Sequence, residues 1–489
     1  GREKLIKELK KRPLRGPLVA TGVLEVNDKT ATLIDNETQI YTLSFENARW
    51  ARPVLASGGL GKTPTKLTDV LKVGDIVRIQ NVDEKWRLAQ VPGAQSALVS
   101  LDPNNGALLA LVGGFDFTLS KFNRATQGGR QPGSSFKPFI YTAALAKGMT
   151  PASIVNDAPF IYEDPWTKQV WRPQNHSNEY QGPMRLREAL YKSKNMVSIR
   201  VLEQIGIDYT LDYLKKFSFD PGALPKHLSL ALGTAEVSPL QMATGYAVFA
   251  NGGYKIEPWW VSRIENIKGE VIYAANPAAA CLPPCTGVTT AETEAAKALA
   301  DTPPDATEQS PPLQDANLHD AVHFHQAERV EEPRIIWLIN SMMSDVIKRG
   351  TATKALVLKR EDIAGKTGTT NDQKDAWFSG FNPNMVASVW LGYDNPTNLG
   401  GTEFGGTAAL PIWIDYMREA LKDKSDVVVP APDELVSVRI DPNTAMLAMP
   451  GQPDAIFETF QKEKVPEAAM APSIVPGSNE ELAIPEQLF

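Results

Sequence analysis

Short runs of alternating apolar and polar residues dominate the first part of the chain, after a polar start over residues 1–15. That start carries Lys7 and Lys10 among its basic residues and is typical of a short helical connector. Residues 16–92 then hold five β-rich runs separated by turn residues such as Asn27-Asp28. Five short strands in one small segment predict an OB-like β-barrel, with strands at 18–26, 30–34, 39–43, 75–80 and 85–89.

The pattern changes near residue 93, where residues 97–101 and 107–112 predict a hairpin around a turn containing Pro103 and Gly106. Helical patterns follow to about residue 250, and strand-like runs return later in the chain. Strands at both ends of a helical region predict an α+β domain over residues 93–423, in which one antiparallel sheet is flanked by helices. The later runs lie at 363–370, 376–381 and 385–393.

Two segments interrupt or follow this domain. Residues 276–331 are rich in Pro, Ala, Thr, Asp and Glu, which predicts a mobile insertion outside the core. A second hairpin, of residues 259–267 and 270–275, is expected just before it. Residues 424–489 form a Pro-rich, acidic tail, with one hairpin predicted near residues 436–447.

Composition and charge exclude several classes of function. The chain has 489 residues, a net charge of −7 and 43% hydrophobic residues, enough for about two to four domains. The mild acidity disfavours binding to nucleic acid. No apolar stretch approaches the length of a membrane span, and the first residues lack Met and a signal-peptide pattern. We therefore expect that the natural chain begins further upstream.

Cysteine and histidine provide no clear cofactor or metal site. Cys281 and Cys285 form a C-x₃-C loop, which is compatible either with a disulfide or with two free thiols. His319, His323 and His325 have a spacing that can ligate zinc. They lie in the predicted mobile insertion, where solvated side chains are the simpler interpretation. The sequence therefore predicts neither a metal nor a cofactor.

One serine and one lysine stand in a pattern typical of nucleophilic catalysis. Residues 131–139 read QPGSSFKPF, so that a Pro-Gly turn precedes Ser134 and an apolar helix follows. The three-residue spacing places Lys137 on the same face, where a neutral amine can take the proton of the serine hydroxyl. Burial and a second cation would lower the pKa of that lysine. Pro138 is tolerated in the first turn of the helix.

Two further segments support this interpretation. Residues 191–195 read YKSKN after a short helical run, and give an S-x-N pattern with Ser193 as a proton shuttle toward Lys137. Asn195 would bind the lysine and a substrate amide. Residues 363–370 read IAGKTGTT and predict an edge strand along which an extended substrate can pair. Lys366 would supply positive charge there, and hydroxyl groups would receive a substrate carboxylate.

The order S-x-x-K, S-x-N, K-T-G is the trio known from penicillin-binding proteins and class A β-lactamases. The chain resembles the transpeptidase domain of class A penicillin-binding proteins over roughly residues 93–422. The barrel at 16–92 stands where that family carries an OB-like domain. Other segments share the likeness, namely 124–138, 187–190, 231–240, 350–352, 375–378 and 390–394.

The resemblance implies a peptidoglycan D,D-transpeptidase with a serine transpeptidase/β-lactamase-like fold. Ser134 would attack the penultimate D-alanine of a stem peptide, Lys137 would act as general base, and Ser193 would relay the proton. The backbone N–H groups of Ser134 and Thr369 would form the oxyanion hole. The remaining site residues would be Asn195, Lys366, Thr367, Gly368 and Thr369, and β-lactams would acylate the same serine.

The alternatives differ in the fate of the acyl group. A serine β-lactamase needs a carboxylate to activate water, and neither Glu203 nor Glu236 has the sequence context of that residue. A D,D-carboxypeptidase and a non-catalytic β-lactam sensor or cell-wall scaffold remain open. The family also implies a glycosyltransferase domain, a membrane anchor and a place at the periplasmic face of the bacterial inner membrane. A regulatory lipoprotein that docks on residues 16–92 is a further hypothesis.

Overall fold

The structure is a computed structural model that describes residues 1–55, 59–163, 168, 170–280, 322 and 324–467. Within these ranges no helix combines the length and the apolar character that crossing a bilayer requires. Cys281, Cys285, His319 and His323 lie outside the described residues, and His325 is exposed.

The first domain confirms the predicted helix and all five predicted strands. Its sheet is antiparallel with the order β3-β2-β1-β4-β5, and β3 and β5 approach each other at its two edges. Alternate residues such as Val23, Leu33, Leu43 and Ile79 point inward and are buried, as expected for a small barrel. The elements are α1 (Arg2–Leu9), β1 (Val19–Val26), β2 (Thr30–Ile34), β3 (Ile40–Ser44), β4 (Ile76–Val82) and β5 (Lys85–Ala89).

The remaining elements build the larger domain and a C-terminal hairpin. Its helices are α2 (Lys137–Ala146), α3 (Leu186–Tyr191), α4 (Asn195–Ile205), α5 (Ile207–Tyr213), α6 (Pro239–Ala250), α7 (Pro333–Lys348) and α8 (Leu410–Ala420). Its strands are β6 (Gln95–Leu101), β7 (Leu108–Val112), β8 (Ile154–Asp157), β9 (Tyr162–Glu163), β10 (Val170–Trp171), β11 (Gly182–Arg185), β12 (Arg263–Glu265), β13 (Val271–Ala274), β14 (Ala278–Ala279), β15 (His325–Gln326), β16 (Ala364–Thr369), β17 (Asp375–Asn382), β18 (Met385–Gly392), β19 (Leu435–Ile440) and β20 (Ile456–Gln461).

The central sheet joins the two ends of the domain, as the sequence predicts. Its order is β16-β17-β18-β6-β7 and every pair is antiparallel, so that β16 is an edge strand. Residues of β17 are buried along its whole length, because helices cover both faces of the sheet. Trp377 and Trp390 pack within the sheet and are buried.

Helix α2 lies at the centre of the helical part. Its residues from Lys137 to Leu145 are all buried, because the helix is apolar on nearly all sides and packs against several others. Phe139 stacks on Phe249 of α6 with 5.2 Å between ring centroids. Helix α6 begins with a capping box, in which Ser238 Oγ accepts from Gln241 N at 3.1 Å.

Two expectations about the flanking segments need correction. The ends of the segment 276–331 do not lie outside the core: β14 pairs with β15, and Ala279 and Ala327 are buried. In the tail, β19 falls where a strand is predicted, but its partner is β20 and not a strand before residue 447. The intervening residues 441–455 form a long connection with only an isolated bridge between Ile440 and Leu447. The predicted hairpin near residues 436–447 is therefore wrong. The partner of β19 is the later strand β20, several of whose residues are buried.

The tail hairpin is held to the larger domain by a buried ion-pair network. Arg187 of α3 donates to both carboxylate oxygens of Glu458 on β20, from Nη2 at 2.7 Å and from Nε at 2.9 Å. Its Nη1 donates to Asp345 of α7 at 3.1 Å. The side chains of Arg187 and Glu458 are only 8% and 2% exposed. The network therefore joins three elements that are far apart in sequence.

We expect Glu458→Ala to lower the free energy of unfolding by about 3 kcal/mol or more, because it leaves the buried Arg187 guanidinium without its bidentate partner. Chemical denaturation followed by tryptophan fluorescence measures this change.

Glu463→Ala is the matched control in the same segment. Glu463 pairs with Arg334 at 3.1 Å, but its side chain is 53% exposed. Loss of this solvent-screened pair should change the free energy of unfolding far less than loss of Glu458 does. Equal losses in the two variants would contradict the role assigned to burial.

Candidate active site

The predicted nucleophile lies on a tight turn that leads into α2. Residues Gly133–Phe136 form one 3₁₀ turn, and the backbone N–H of Lys137 donates to the carbonyl of Ser134. Side chains three residues apart eclipse each other in a 3₁₀ turn, so Ser134 and Lys137 project from the same side. Ser134 is half-buried, whereas Lys137 is fully buried.

Gly133 brings this turn against the edge strand β16. Its φ of +54° lies in the left-handed region, and a Cβ at this position would lie 2.6 Å from the carbonyl oxygen of Thr369. Only glycine permits this approach of the two backbones. The N–H groups of Ser134 and Thr369, predicted as the oxyanion hole, therefore belong to backbone segments that are in contact.

The segment before the nucleophile is clamped to the sheet by two arginines. Arg130 Nε donates to Asp375 Oδ1 at 2.7 Å, and the same oxygen accepts from the Trp390 indole at 2.8 Å. Arg124 donates to Asp394 at 2.6 Å from Nε. Three of the segments that carried the family likeness, 124–138, 375–378 and 390–394, thus meet here and fix the nucleophile turn on β17 and β18.

Lys137 makes two hydrogen bonds to the S-x-N turn. Its Nζ donates to the Ser193 carbonyl oxygen and to Asn195 Oδ1, both at 2.8 Å. Burial, and then the positive charge of Lys366, hold the pKa of Lys137 well below its usual range, against the opposing effect of Asp157. A neutral amine has two N–H groups and one lone pair. With both N–H groups engaged, the lone pair is free to accept a proton.

Lys366 approaches the same turn from the sheet. Its Nζ donates to Ser193 Oγ at 2.9 Å and to the Thr367 carbonyl oxygen at 3.0 Å. The side chain is fully buried, and burial lowers the pKa of Lys366 to about 7. Lys366 therefore stays charged more readily than Lys137, whose pKa is reduced by two causes.

Ser193 connects the two lysines. Its carbonyl oxygen accepts from Lys137, and its hydroxyl oxygen accepts from Lys366. The hydroxyl hydrogen of Ser193 is then available for donation to a third group. Its backbone has a φ of +58°, a left-handed conformation that costs a non-glycine residue roughly 1–2 kcal/mol. Such strain persists only where surrounding contacts impose it, and it is frequent at catalytic sites.

Asn195 has its side-chain amide fixed at both ends. Oδ1 accepts from Lys137, and Nδ2 donates to the Gln174 carbonyl oxygen at 2.8 Å. The predicted contact between Asn195 and the lysine is therefore present. Asn195 is also the first residue of α4.

The K-T-G strand lines the opposite side with hydroxyl groups. Thr367 Oγ1 lies 2.5 Å from Thr351 Oγ1, and Thr369 Oγ1 accepts from Gly405 N at 3.1 Å. A side chain at Gly368 would collide with the carbonyl oxygen of Pro132. Hydroxyl groups beside the buried Lys366 suit a carboxylate, which accepts hydrogen bonds and is attracted by the positive charge.

All eight predicted site residues thus come together where the 3₁₀ turn before α2, the S-x-N turn before α4 and strand β16 meet. Sequence reasoning missed the buried groups behind the S-x-N turn, which are Asp157, Asn175 and Lys194. They come from β8, from the loop after β10 and from the turn itself, and no local pattern in the sequence links them. Among the described residues, no group of three or more His, Cys, Asp or Glu side chains is arranged to hold a metal ion.

Comparison with known proteins gives two family matches that together cover most of the chain. Residues 96–418 match the family described as the penicillin binding protein transpeptidase domain. Residues 1–94 match the penicillin-binding protein OB-like domain. The predicted α+β transpeptidase fold with an OB-like domain is thereby confirmed.

Individual relatives agree with these matches. Penicillin-binding protein 1A of Pseudomonas aeruginosa is 46% identical over 98% of this chain and 59% of its own length. Its counterpart in Escherichia coli is 41% identical over 92% of this chain and 57% of its own length. The chain thus spans little more than half the length of these relatives.

A solved structure extends the likeness to three dimensions. The crystal structure of penicillin-binding protein 1A from Haemophilus influenzae superposes with a TM-score of 0.79 at 34% identity, covering 96% of this chain and 66% of that chain. The chain belongs to the penicillin-binding proteins, as a relative of penicillin-binding protein 1A with an OB-like domain and a transpeptidase domain.

Proposed function

We propose that this chain is a serine D,D-transpeptidase, which cross-links peptidoglycan stem peptides through an acyl-enzyme on Ser134 and is acylated by β-lactams. The observation that carries the proposal is the pair of buried lysines joined through Ser193. Lys137, on the same side of the 3₁₀ turn as Ser134, has both N–H groups of its neutral amine engaged, and Lys366 supplies positive charge beside a row of hydroxyl groups.

In the proposed acylation step these groups act in turn. The Ser134 oxygen bonds to the carbonyl carbon of the penultimate D-alanine while its proton moves to the Lys137 amine. The peptide C–N bond breaks, and Ser193 passes its hydroxyl proton to the departing nitrogen as it receives the proton held by Lys137. Terminal D-alanine leaves with a neutral amino group, and the enzyme keeps an ester. A β-lactam reacts in the same way, but its nitrogen stays attached to the acyl group.

Two other features support this chemistry. The N–H groups of Ser134 and Thr369 would stabilise the oxyanion, and the loss of one such donor typically costs about 3 kcal/mol of transition-state stabilisation. The carboxylate of the terminal D-alanine would bind at Thr367 and Thr369, with Lys366 as the nearest positive charge. Gly368 allows the strand to approach the nucleophile turn closely.

The acyl-enzyme is resolved by an acceptor. We propose an amine from a second stem peptide, which attacks the ester and regenerates Ser134. Water as acceptor would make the enzyme a D,D-carboxypeptidase. Glu203 and Glu236 are both exposed, so neither is placed as the buried base that an efficient β-lactamase requires.

Three further proposals concern the anchoring, the location and a partner of the whole protein. Membrane anchoring and a place at the periplasmic face of the inner membrane rest on the family alone. A regulatory lipoprotein that docks on residues 16–92 is proposed from the exposed location of that domain. A pull-down in which deletion of residues 16–92 leaves every partner bound would argue against the last of these.

Ser134→Ala should abolish covalent penicillin labelling, because it removes the attacking oxygen. Intact-mass measurement and peptide mapping of the adduct provide the check. Ser388→Ala is the matched control, since Ser388 is a buried serine whose hydroxyl bonds to Ser379 at 2.8 Å. Labelling should persist in that variant, and an adduct mapped to Ser135 or Ser193 in the unaltered chain would refute the assignment.

The second-order rate of β-lactam acylation should rise with pH as Lys137 loses its proton, and fall as pH increases through about 7, where Lys366 loses its charge. Lys366→Arg should move the falling limb to higher pH, because a guanidinium stays charged. Its maximum rate should be lower, because the larger group cannot reproduce the bond to Ser193. A falling limb unchanged in this variant would exclude Lys366 as its origin.

Turnover separates the enzyme from a sensor. With a thioester mimic of a stem peptide and a D-amino-acid acceptor, we expect release of thiol and formation of the acceptor adduct. Stoichiometric penicillin labelling without any such turnover would favour a non-catalytic β-lactam sensor. Hydrolysis without adduct formation would identify a carboxypeptidase.

A further inference from the structure

The helix that begins at Asn195 is capped by a residue from another part of the chain. Lys194 occupies the N-cap position of α4 without making a side-chain capping bond. Asn175, in the loop between β10 and β11, takes that role: its Oδ1 accepts from Asn195 N at 2.8 Å and from Met196 N at 3.4 Å. An N-cap oxygen normally comes from the residue before the helix, and here it comes from a separate loop.

Asn175 is itself oriented by a buried carboxylate. Its Nδ2 donates to Asp157 Oδ1 at 2.7 Å and to the Glu179 carbonyl oxygen at 2.8 Å. Both oxygens of Asp157 are engaged, because Oδ2 accepts from Gln181 N at 3.0 Å and pairs with Lys194 Nζ at 3.0 Å. Asp157 is 0% exposed and Asn175 is 3% exposed. The amide of Asn175 is therefore held in one orientation.

The same loop also holds the side chain of the catalytic asparagine. Gln174, the residue before Asn175, accepts from Asn195 Nδ2. One loop thus determines where the backbone of Asn195 begins the helix and which end of its amide faces Lys137. A continuous series of hydrogen bonds runs from Asp157 through Asn175 and Asn195 to the amine of Lys137.

The turn that this loop supports is the strained one. Ser193, with its left-handed φ, immediately precedes Lys194 and Asn195. The side chain of Lys194 pairs with Asp157, and the backbone N–H of Asn195 donates to Asn175. Both residues after Ser193 are therefore held by buried side chains from outside the turn.

The left-handed Ser193 itself closes the C-terminus of α3 in a Schellman-type turn, in which Ser193 N donates to the Leu190 carbonyl oxygen at 3.0 Å and Lys194 N donates to the Ala189 carbonyl oxygen at 2.9 Å. The two anchors hold the residues that follow this turn, and with it the arrangement in which the Ser193 carbonyl and hydroxyl reach different lysines.

We propose that Asp157 and Asn175 are positioning residues for acylation, which hold the S-x-N turn so that Ser193 and Asn195 contact Lys137 and Lys366 correctly. The inference rests on the proposed function, since it assigns these residues to the acylation of Ser134. Neither residue is expected to touch the substrate. Each acts through the turn.

The first test compares two buried asparagines. Asn175→Ala should slow penicillin acylation on the order of 100-fold, because small displacements of catalytic groups have effects of that size. Asn251→Ala is the matched control: Asn251 is fully buried and also bonds to backbone groups, but at the end of α6. It should lower the melting temperature and leave the acylation rate within about twofold at temperatures where the protein is folded.

The second test retains the shapes of the side chains. Asn175→Asp places two carboxylates side by side, and Asp157→Asn places two amides side by side. Both single variants should slow acylation. The double variant again pairs one carboxylate with one amide, and should recover more activity than the two single effects combined would allow. This double-mutant cycle tests the positioning role even if Asn175→Ala does not fold, because exchanging Asp and Asn keeps the volume of both side chains.

A pH profile adds a readout that a merely structural role would leave unmoved. The charges that act on Lys137 are Lys366 on β16 and Asp157 on β8, and Asp157 is paired with Lys194. Because the negative charge of Asp157 favours the protonated amine, Asp157→Asn should move the rising limb of the acylation rate to lower pH.

The outcomes separate the two proposals. Absence of labelling on Ser134 in the unaltered chain would overturn the proposed function itself. Normal labelling of the unaltered chain, with Asn175→Ala acylating at the same rate and the single swaps behaving independently, would overturn only the positioning role. A large loss in Asn175→Ala, recovery in the double swap and a shifted rising limb would together support it.

Discussion

The burial of two lysines around one serine is the constraint on which the rest of this structure depends. A lysine in water is protonated at neutral pH and is useless as a base. Removing Lys137 and Lys366 from water lowers the pKa of both, and their mutual repulsion lowers that of Lys137 further. Two buried amines are costly, so the fold must give each of them hydrogen-bond acceptors. Ser193 supplies one acceptor to each.

The architecture follows from this requirement. Helix α2 is apolar on almost all sides, which places its first residue, Lys137, in the interior of the helical part. The edge strand β16 brings Lys366 from the sheet, and the contact at Gly133 and Thr369 joins the two halves without side chains between them. The arginines before the nucleophile bind to β17 and the residues after β18, so the sheet and the nucleophile turn form one unit.

The groups behind the site show why the S-x-N turn keeps a conformation that its residues do not favour. Left-handed Ser193 ends α3 in a Schellman-type turn, and the next two residues are held by Asp157 and Asn175. A buried ion pair also acts away from the active site, where Arg187 of α3 binds Glu458 of the tail hairpin. In both places a buried ion pair fixes the register of segments far apart in sequence, and it does so because a displaced charge would be left unpaired.

The sequence by itself determined the two domains, the strands of the barrel, the central sheet and every member of the S-x-x-K, S-x-N and K-T-G trio. These features depend on local patterns: alternation of apolar residues, turn residues, and hydroxyl and lysine side chains at short spacing. Only the tertiary structure decided the pairing of β19 with β20, the buried ends of segment 276–331, and the support of α4 by Asn175. Those contacts join residues with no local pattern in common, because burial and hydrogen-bond satisfaction of the whole chain select them.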